Sequence, residues 1–262
     1  MKIAVCIKQV PASSEIETDQ NTGVLIRDRG PTRINPYDLS AIEAALQLKE
    51  AYNGSVTSFT MGPKSAEAVI AYSFSMGADD GVLLSDARFA GADVYATAYT
   101  LAQGICVSDH YDLILCGSQT TDGDTGQVGP ALAEQLGIPH IYGVTAVDSI
   151  NETQILLTQQ LGNKNMQLKA AMPCLLVIHP DAFRPRLPSL KLKLMAAKKE
   201  VKKLSMQDMQ EKNILKYGLK GSPTQVERVF LPERTTYRQV LTGDGDTLAL
   251  EIYNCVKQGR LI

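Results

Sequence analysis

The chain has 262 residues, 44% apolar and 21% charged, with a net charge of −2. Length and composition suit one large folded α/β domain, or a domain with an extension, and exclude a wholly disordered chain. The near-neutral charge excludes a global pull towards nucleic acid or an anionic membrane. The five cysteines (Cys6, Cys106, Cys116, Cys174 and Cys255) form no C-x-x-C pair and stand among apolar neighbours, which predicts buried, reduced thiols in a cytoplasmic protein.

"KIAVCIKQV" (2–10) predicts a buried first strand stopped by Pro11; its apolar run is too short for a signal-peptide core. No window approaches the roughly 20 apolar residues of a membrane span. "NPYDLSAIEAALQLKEAYNG" (35–54) predicts a helix, with Asp38 as N-cap and Gly54 as the stop. The strand "SVTSFTMG" (55–62) and the helix "KSAEAVIAYSFSMG" (64–77) follow. Next come the strand "DGVLLSD" (80–86), the helix "DVYATAYTLAQGICVS" (93–108) and the strand "YDLILCG" (111–117). A helix over 126–137, a strand over 138–147 and a strand in "PCLLVIH" (173–179) complete the alternation. Strands alternating with helices of this length predict a parallel sheet covered on both faces.

The stretch "LCGSQTTDGDTGQVGP" (115–130) joins the end of a strand to the start of a helix. Glycines at 123, 126 and 129 let the backbone approach an anion, and a helix N-terminus supplies unpaired N–H groups. The spacing is neither G-x-G-x-x-G nor a Walker loop, so an unliganded turn remains open beside phosphate binding. A calcium loop fails by counting. With Asp122 at position 1, position 6 is Gln127 and position 12 is Ala133, where glycine and glutamate are required. The similar "GDGDT" at 243–247, counted from Asp244, puts Leu248 at position 5 and Cys255 at position 12. The three histidines, His110, His140 and His179, have no ligand spacing, and no nucleophile elbow appears. Any redox or transfer chemistry must therefore come from a cofactor.

Residues 184–203 hold eight Lys/Arg against one acid, Glu200, a local charge of +7. No aromatic residue lies between the cations, which argues against base stacking and so against nucleic acid. Leu187 and Leu190 amid those cations suit an acidic protein partner, beside the plainer reading of a surface turn. Residues 205–242 show little period and several turn signals, as an extended arm would. "DTLALEIYNCVKQG" (246–259) predicts a terminal helix capped by Asp246, with Leu248, Ile252, Cys255 and Val256 on one stripe.

In this order the pieces resemble the β subunit of electron transfer flavoproteins over nearly the whole chain. The likeness rests on "VCIKQVP", "RINPYDLSAIEAAL" (33–46), "TMGP" (60–63), "GADDGVLLSD" (77–86), "GSQTTDGDTGQVGPALAEQLGIP" (117–139) and "RPRLPSLKLKLMAAKK" (184–199). It implies a Rossmann-like, adenine nucleotide alpha hydrolase-like α/β domain over 1–183. A partner-recognition segment over 184–204 and a C-terminal arm over 205–262, reaching onto an α subunit, would follow.

The resemblance also implies two alternatives for the bound nucleotide. Ordinary members hold AMP and act as electron shuttles. Electron-bifurcating members hold FAD, which takes hydride from NADH. Their electrons go to ferredoxin or flavodoxin and, through the α subunit's FAD, to a flavin dehydrogenase of acyl-CoA, enoyl-CoA or 2-hydroxyacid type. "TTDGDTGQVGP" resembles the second branch, apart from Gly126, where alanine is expected. A nucleotide-sensing regulator without redox work is a reading from another class.

Matched by motif, the nucleotide site implied comprises Cys6, Asn35, Pro36, Tyr37, Asp38, Met61, and the loop Gly117, Ser118, Gln119, Thr120, Thr121, Asp122, Gly123, Asp124, Thr125, Gly126, Gln127 and Val128. Ser118, Thr120, Thr121 and Thr125 would meet a pyrophosphate, and Asn35 or Asp38 the adenine or ribose. Asp122 and Asp124 would shape the loop, cap the helix or hold a ligand hydroxyl. Leu187, Pro188 and Leu190 would anchor the partner dehydrogenase.

Overall fold

The computed structural model describes residues 1–12, 30–225 and 240–258. The chain divides into two units, Met1–Val226 and Glu227–Ile262, and each is described by itself.

In chain order the first unit contains β1 (Lys2–Cys6), β2 (Gln9–Pro11), β3 (Thr32–Ile34), α1 (Pro36–Tyr52), β4 (Ser55–Met61), α2 (Glu67–Met76) and β5 (Asp80–Leu84). These lead into α3 (Val94–Ser108), β6 (Leu113–Gly117), α4 (Val128–Leu136), β7 (His140–Ile150), β8 (Gln154–Leu161), β9 (Lys164–Ala171) and β10 (Cys174–Ile178). The unit closes with α5 (Leu190–Ala196), β11 (Lys202–Leu204) and the short α6 (Gly218–Gly221). The second unit contributes α7 (Gly245–Gln258).

Nine strands form one sheet in the order β11-β5-β4-β1-β6-β10-β7-β8-β9. The run from β11 to β7 is parallel. The expectation of an all-parallel sheet is corrected at one edge, where β7, β8 and β9 form an antiparallel meander. The sequence pattern marks no elements across β8 and β9: most side chains of β9 are exposed, so its residues lack the apolar run of a central strand. β1, β6 and β10, covered on both faces, carry that run. The first strand ends at Cys6 rather than Val10; Gln9–Pro11 instead pairs antiparallel with β3 in a separate two-stranded sheet.

Two apolar cores flank the sheet. One packs α1 and α2 against it through Ile42, Leu46, Ile70 and Phe74. The other packs α3 and α4 through Leu101, Ile105 and Leu132. The second core also takes in Leu204, Met206, Met209 and Tyr217, so residues 204–217 are not a free arm. Tyr217, fully buried, stacks near Phe89 and Tyr99 and donates its hydroxyl to the Glu211 carbonyl at 2.7 Å. Of the expected arm, 226–239 lies outside the described residues, as does Gly259 at the end of the expected terminal helix.

Two caps move. Pro36 occupies the first position of α1, so Asn35 is the N-cap and Asp38 turns inward. At the other end Asn53, at φ 49°, is the C-cap, one residue before Gly54. In α7 Asp244, rather than Asp246, accepts the Thr247 N–H at 2.9 Å. The cysteine expectation is also corrected. All five are free, but Cys106 and Cys255 are exposed, Cys6 is half-buried, and only Cys116 and Cys174 are buried. No described helix is long and apolar enough to cross a membrane.

Candidate functional site

From β1 the chain moves to β4 and β5 on one side, then returns to place β6 on the other. The strand order reverses at β1, and open α/β sheets bind ligands beyond the carboxyl ends of strands at such a reversal. A cleft of about 600 Å³ opens there. Cys6 and Cys116, paired in register across β1 and β6, line its inner end. One lobe is the glycine loop after β6; the other runs past Met61 and Pro63 to Phe89, Val94 and Leu101.

The loop's geometry starts with Gly117. A Cβ there would lie 2.4 Å from Asp38 Oδ1, 2.8 Å from the Tyr37 carbonyl carbon and 2.9 Å from the Asp38 nitrogen. The end of β6 therefore passes directly against the start of α1, and only glycine permits it. Asn35 fixes this junction. Its side-chain amide donates to Asp38 Oδ1 at 2.9 Å and to the Gln119 carbonyl at 2.8 Å, tying helix start to loop. The backbone N–H of Lys8 donates to Asp38 Oδ2 at 2.7 Å, while the Lys8 ammonium contacts both oxygens of Asp122 at 2.7 Å. Lys8, two residues beyond β1, thus holds α1 with its backbone and the loop with its side chain. Asp124 and Gly126 take left-handed conformations, at φ 50° and 62°, and the Asp124 N–H donates to the Thr120 carbonyl at 2.9 Å. Gln127, the N-cap of α4, makes no side-chain cap bond, so that helix start offers its N–H groups towards the cleft.

The charges are arranged with little net cation. Burial pushes the Asp38 carboxyl up to about 7, against hydrogen bonds from Asn35 and Lys8 that act the other way. Burial also raises Asp122, but the Lys8 ammonium outweighs it and holds that carboxyl below its ordinary range. At the far lobe Arg88 hydrogen-bonds to Asp86 and holds it well below the usual carboxylate value. An anion in this cleft would therefore meet backbone N–H groups and hydroxyls more than free cationic side chains.

Twelve of the matched residues line the cleft: Cys6, Asp38, Met61, Gly117, Ser118, Gln119, Thr120, Gly123, Thr125, Gly126, Gln127 and Val128. Asn35, Pro36 and Tyr37 stand behind it as the helix start, and Tyr37 accepts the Gln119 side-chain amide at 3.0 Å. Thr121, Asp122 and Asp124 lie on the loop outside the cleft wall, with Asp122 committed to Lys8. Sequence reasoning missed Lys8 and the whole second lobe, Ser85–Val94 with Thr97 and Leu101. The available signal was the strand end at Leu84 followed by Asp93, which caps α3 by accepting the Ala96 N–H at 3.0 Å.

The basic segment is anchored before it is free to meet anything. Arg186 donates to both oxygens of the nearly buried Glu43, at 2.9 and 3.0 Å, and reaches Glu50. Lys199 donates to the carbonyls of Ala78 and Asp79 and sits 4.8 Å from the Phe74 ring centroid, and Lys203 pairs with Glu67 at 2.8 Å. These ties hold 186–203 against the α1–α2 face and leave Leu187 and Leu190 outward, 89% and 74% exposed, with Pro188 half-buried between them.

A family model described as "Electron transfer flavoprotein domain" matches residues 22–209. The chain is 42% identical to "Electron transfer flavoprotein subunit beta" of Thermoanaerobacterium thermosaccharolyticum over 93% of each chain. It is 40% identical to "Protein FixA" of Bradyrhizobium diazoefficiens, over 96% of this chain and 90% of that one. The Clostridium acetobutylicum electron transfer flavoprotein subunit beta is 41% identical over 87% of each.

Proposed function

We propose a function from one premise: the chain belongs to the electron transfer flavoprotein family, as a β-subunit, FixA-type member. On this reading it pairs with an α subunit and its cleft holds FAD, in the electron-bifurcating manner. The observation that carries the choice is the second lobe. The glycine loop alone would accommodate a mononucleotide, but the cleft continues past Met61 to Phe89, Val94 and Leu101. A dinucleotide with a second ring system uses that length; AMP does not.

The residues fit such a group. The close passage of Gly117, the glycines at 123 and 126, and the uncapped start of α4 suit a pyrophosphate. Ser118, Thr120 and Thr125 line the cleft beside them as hydroxyl donors. Asn35 Oδ1, behind the cleft wall, is buried with no hydrogen-bond partner among the described residues. FAD, when bound, supplies hydride acceptance from NADH and the onward delivery of single electrons. The chain's own part is to bind and orient: the Lys8–Asp122 pair fixes the loop, Asn35 fixes the loop to α1, and the apolar lobe excludes water.

The electron acceptors in this reading are ferredoxin or flavodoxin and a flavin dehydrogenase that docks at Leu187, Pro188 and Leu190. Arg184, Lys191 and Lys193, beside those leucines, would steer an acidic partner surface. α7 would contact the α subunit through its stripe of Leu248, Ile252, Cys255 and Val256. The reading places the complex in the cytoplasm. Rapid mixing of the αβ complex with NADH tests it: prompt bleaching of the flavin absorbance is expected, and inertness would favour the AMP-holding shuttle.

A further inference from the structure

The cleft lining includes two thiols whose redox chemistry nucleotide binding does not require. Cys6 is the last residue of β1 and stands in register with Cys116 on β6. Neighbouring strands place such Cα atoms roughly 4.8 Å apart, inside the roughly 4.4–6.8 Å that a disulfide spans. Both side chains lie on the same face, because Cys116 belongs to the α3–α4 core and Cys6 packs against that core. Both line the cleft. Beyond Cys6 the pairing to β6 stops, and the backbone is held instead by Ile7 N–H to the Phe59 carbonyl at 2.8 Å and Lys8 N–H to Asp38 at 2.7 Å, so the two sulfurs keep a fixed juxtaposition. The other cysteines are elsewhere: Cys174 in the opposite core, Cys106 exposed on α3 and Cys255 exposed on α7.

We propose that Cys6 and Cys116 form a modification site, a reversible disulfide at the strand-order reversal made by peroxide oxidation and undone by thiol exchange. The Cys6 thiolate attacks one peroxide oxygen and expels hydroxide, giving a sulfenic acid. The Cys116 thiol then loses its proton, its thiolate attacks the Cys6 sulfur to form the S–S bond, and the departing hydroxide takes up a proton to leave as water. Two thiols are oxidised by two electrons and one peroxide becomes two waters. Hydrogen bonding with Cys6, followed by burial, raises the Cys116 thiol well above its ordinary value. The second step therefore quickens with rising pH, because the thiolate is the nucleophile.

A ligand seated in the cleft would cover both sulfurs, and this part rests on the nucleotide reading above. The experiment uses the full chain stripped of nucleotide, treated with hydrogen peroxide, and digested with trypsin and an Asp-specific protease under non-reducing conditions. Cleavage before Asp112 places Cys106 and Cys116 on different peptides. The expected product joins the Cys6 and Cys116 peptides with the loss of two hydrogens, and dithiothreitol reverses it. In Cys6→Ser the product is absent while Cys116 remains as free thiol. With FAD or AMP at 100 times its Kd, the free fraction falls to about 1%, so cross-linking should slow on the order of 100-fold. Cross-linking that neither nucleotide slows would support the thiol pair and count against the nucleotide site. Oxidation of either cysteine to sulfinic acid without the linked product, or linkage through Cys106, Cys174 or Cys255 instead, would overturn the proposal.

Discussion

Replacing Asp38 by asparagine separates the electrostatic cost of this residue from its hydrogen bonding. Its carboxyl is 4% exposed and accepts one bond from the Lys8 backbone and one from Asn35. Burial nonetheless dominates and lifts it from 3.8 to about 7. The folded chain then holds this proton more tightly than the unfolded one, so the folded state is favoured below pH 3.8 and loses that advantage as pH rises to about 7. At about 1.4 kcal/mol per tenfold in proton affinity, the loss across that window is about 4 kcal/mol. The amide of the Asp38→Asn variant cannot ionise and escapes it. The variant instead turns an amide N–H towards a donor, which costs about 1–3 kcal/mol at every pH. Asp38→Asn should therefore be the less stable form near pH 4.5 and the more stable form near pH 8. Urea unfolding of both chains at half-unit steps gives the difference directly. A difference that stays constant with pH, or that runs the opposite way, would refute the assignment of a buried, desolvated carboxyl.

Other substitutions probe the neighbouring contacts. Gly117→Ala drives a methyl into Asp38 and the Tyr37–Asp38 backbone; it should destabilise by about 1–3 kcal/mol, and weaken nucleotide binding at least about tenfold, or about 1.4 kcal/mol, read by thermal melting and nucleotide titration. Arg186→Ala leaves Glu43, whose side chain is 5% exposed, without its ion pair; about 3 kcal/mol should be lost at neutral pH by urea unfolding. Arg186 and Gln47 together hold Glu43 below its ordinary value against burial, so that stabilisation is present above the normal glutamate range and shrinks as pH falls through it. Asp124→Gly should be neutral or slightly stabilising, and Asp124→Ala should cost about 1 kcal/mol relative to it, because position 124 is left-handed. Lys8→Ala removes a half-exposed pair and should cost under about 1 kcal/mol of stability. Its larger effect should be weaker nucleotide binding, measured by titration, because Asp122 loses the contact that holds the loop.

Much of the fold was written in local pattern. The apolar runs of β1, β6 and β10 and the helices between them are legible because strands covered on both faces require such runs. β8 and β9 were not, since Gln154, Gln160, Lys164 and Gln167 face water and dilute the alternation. Residues 204–217 join the core through Met206, Met209 and Tyr217, which are spaced by turns and follow neither the helical nor the strand period. The cap of α1 was decidable. Asn35 and Asp38 are both capping types, but Pro36 belongs at the first helical position and so selects Asn35.

The site divides the same way. A glycine-rich joint between strand and helix marks its first lobe, and the sheet's reversal explains why that joint faces a cleft. The Lys8–Asp122 pair spans 114 residues and leaves no local trace, yet it explains why an acid belongs in this loop. The second lobe is built from connecting residues 85–94, whose composition carries no period. Its lining comes together only in the folded sheet, where β5 and β6 lie on opposite sides of β1 and α3 connects them.

The nucleotide content of the purified αβ complex tests the central claim most directly. Acid release, chromatography and quantitation per heterodimer should give two FAD and no AMP. One FAD with one AMP, or no flavin at all, would contradict the claim.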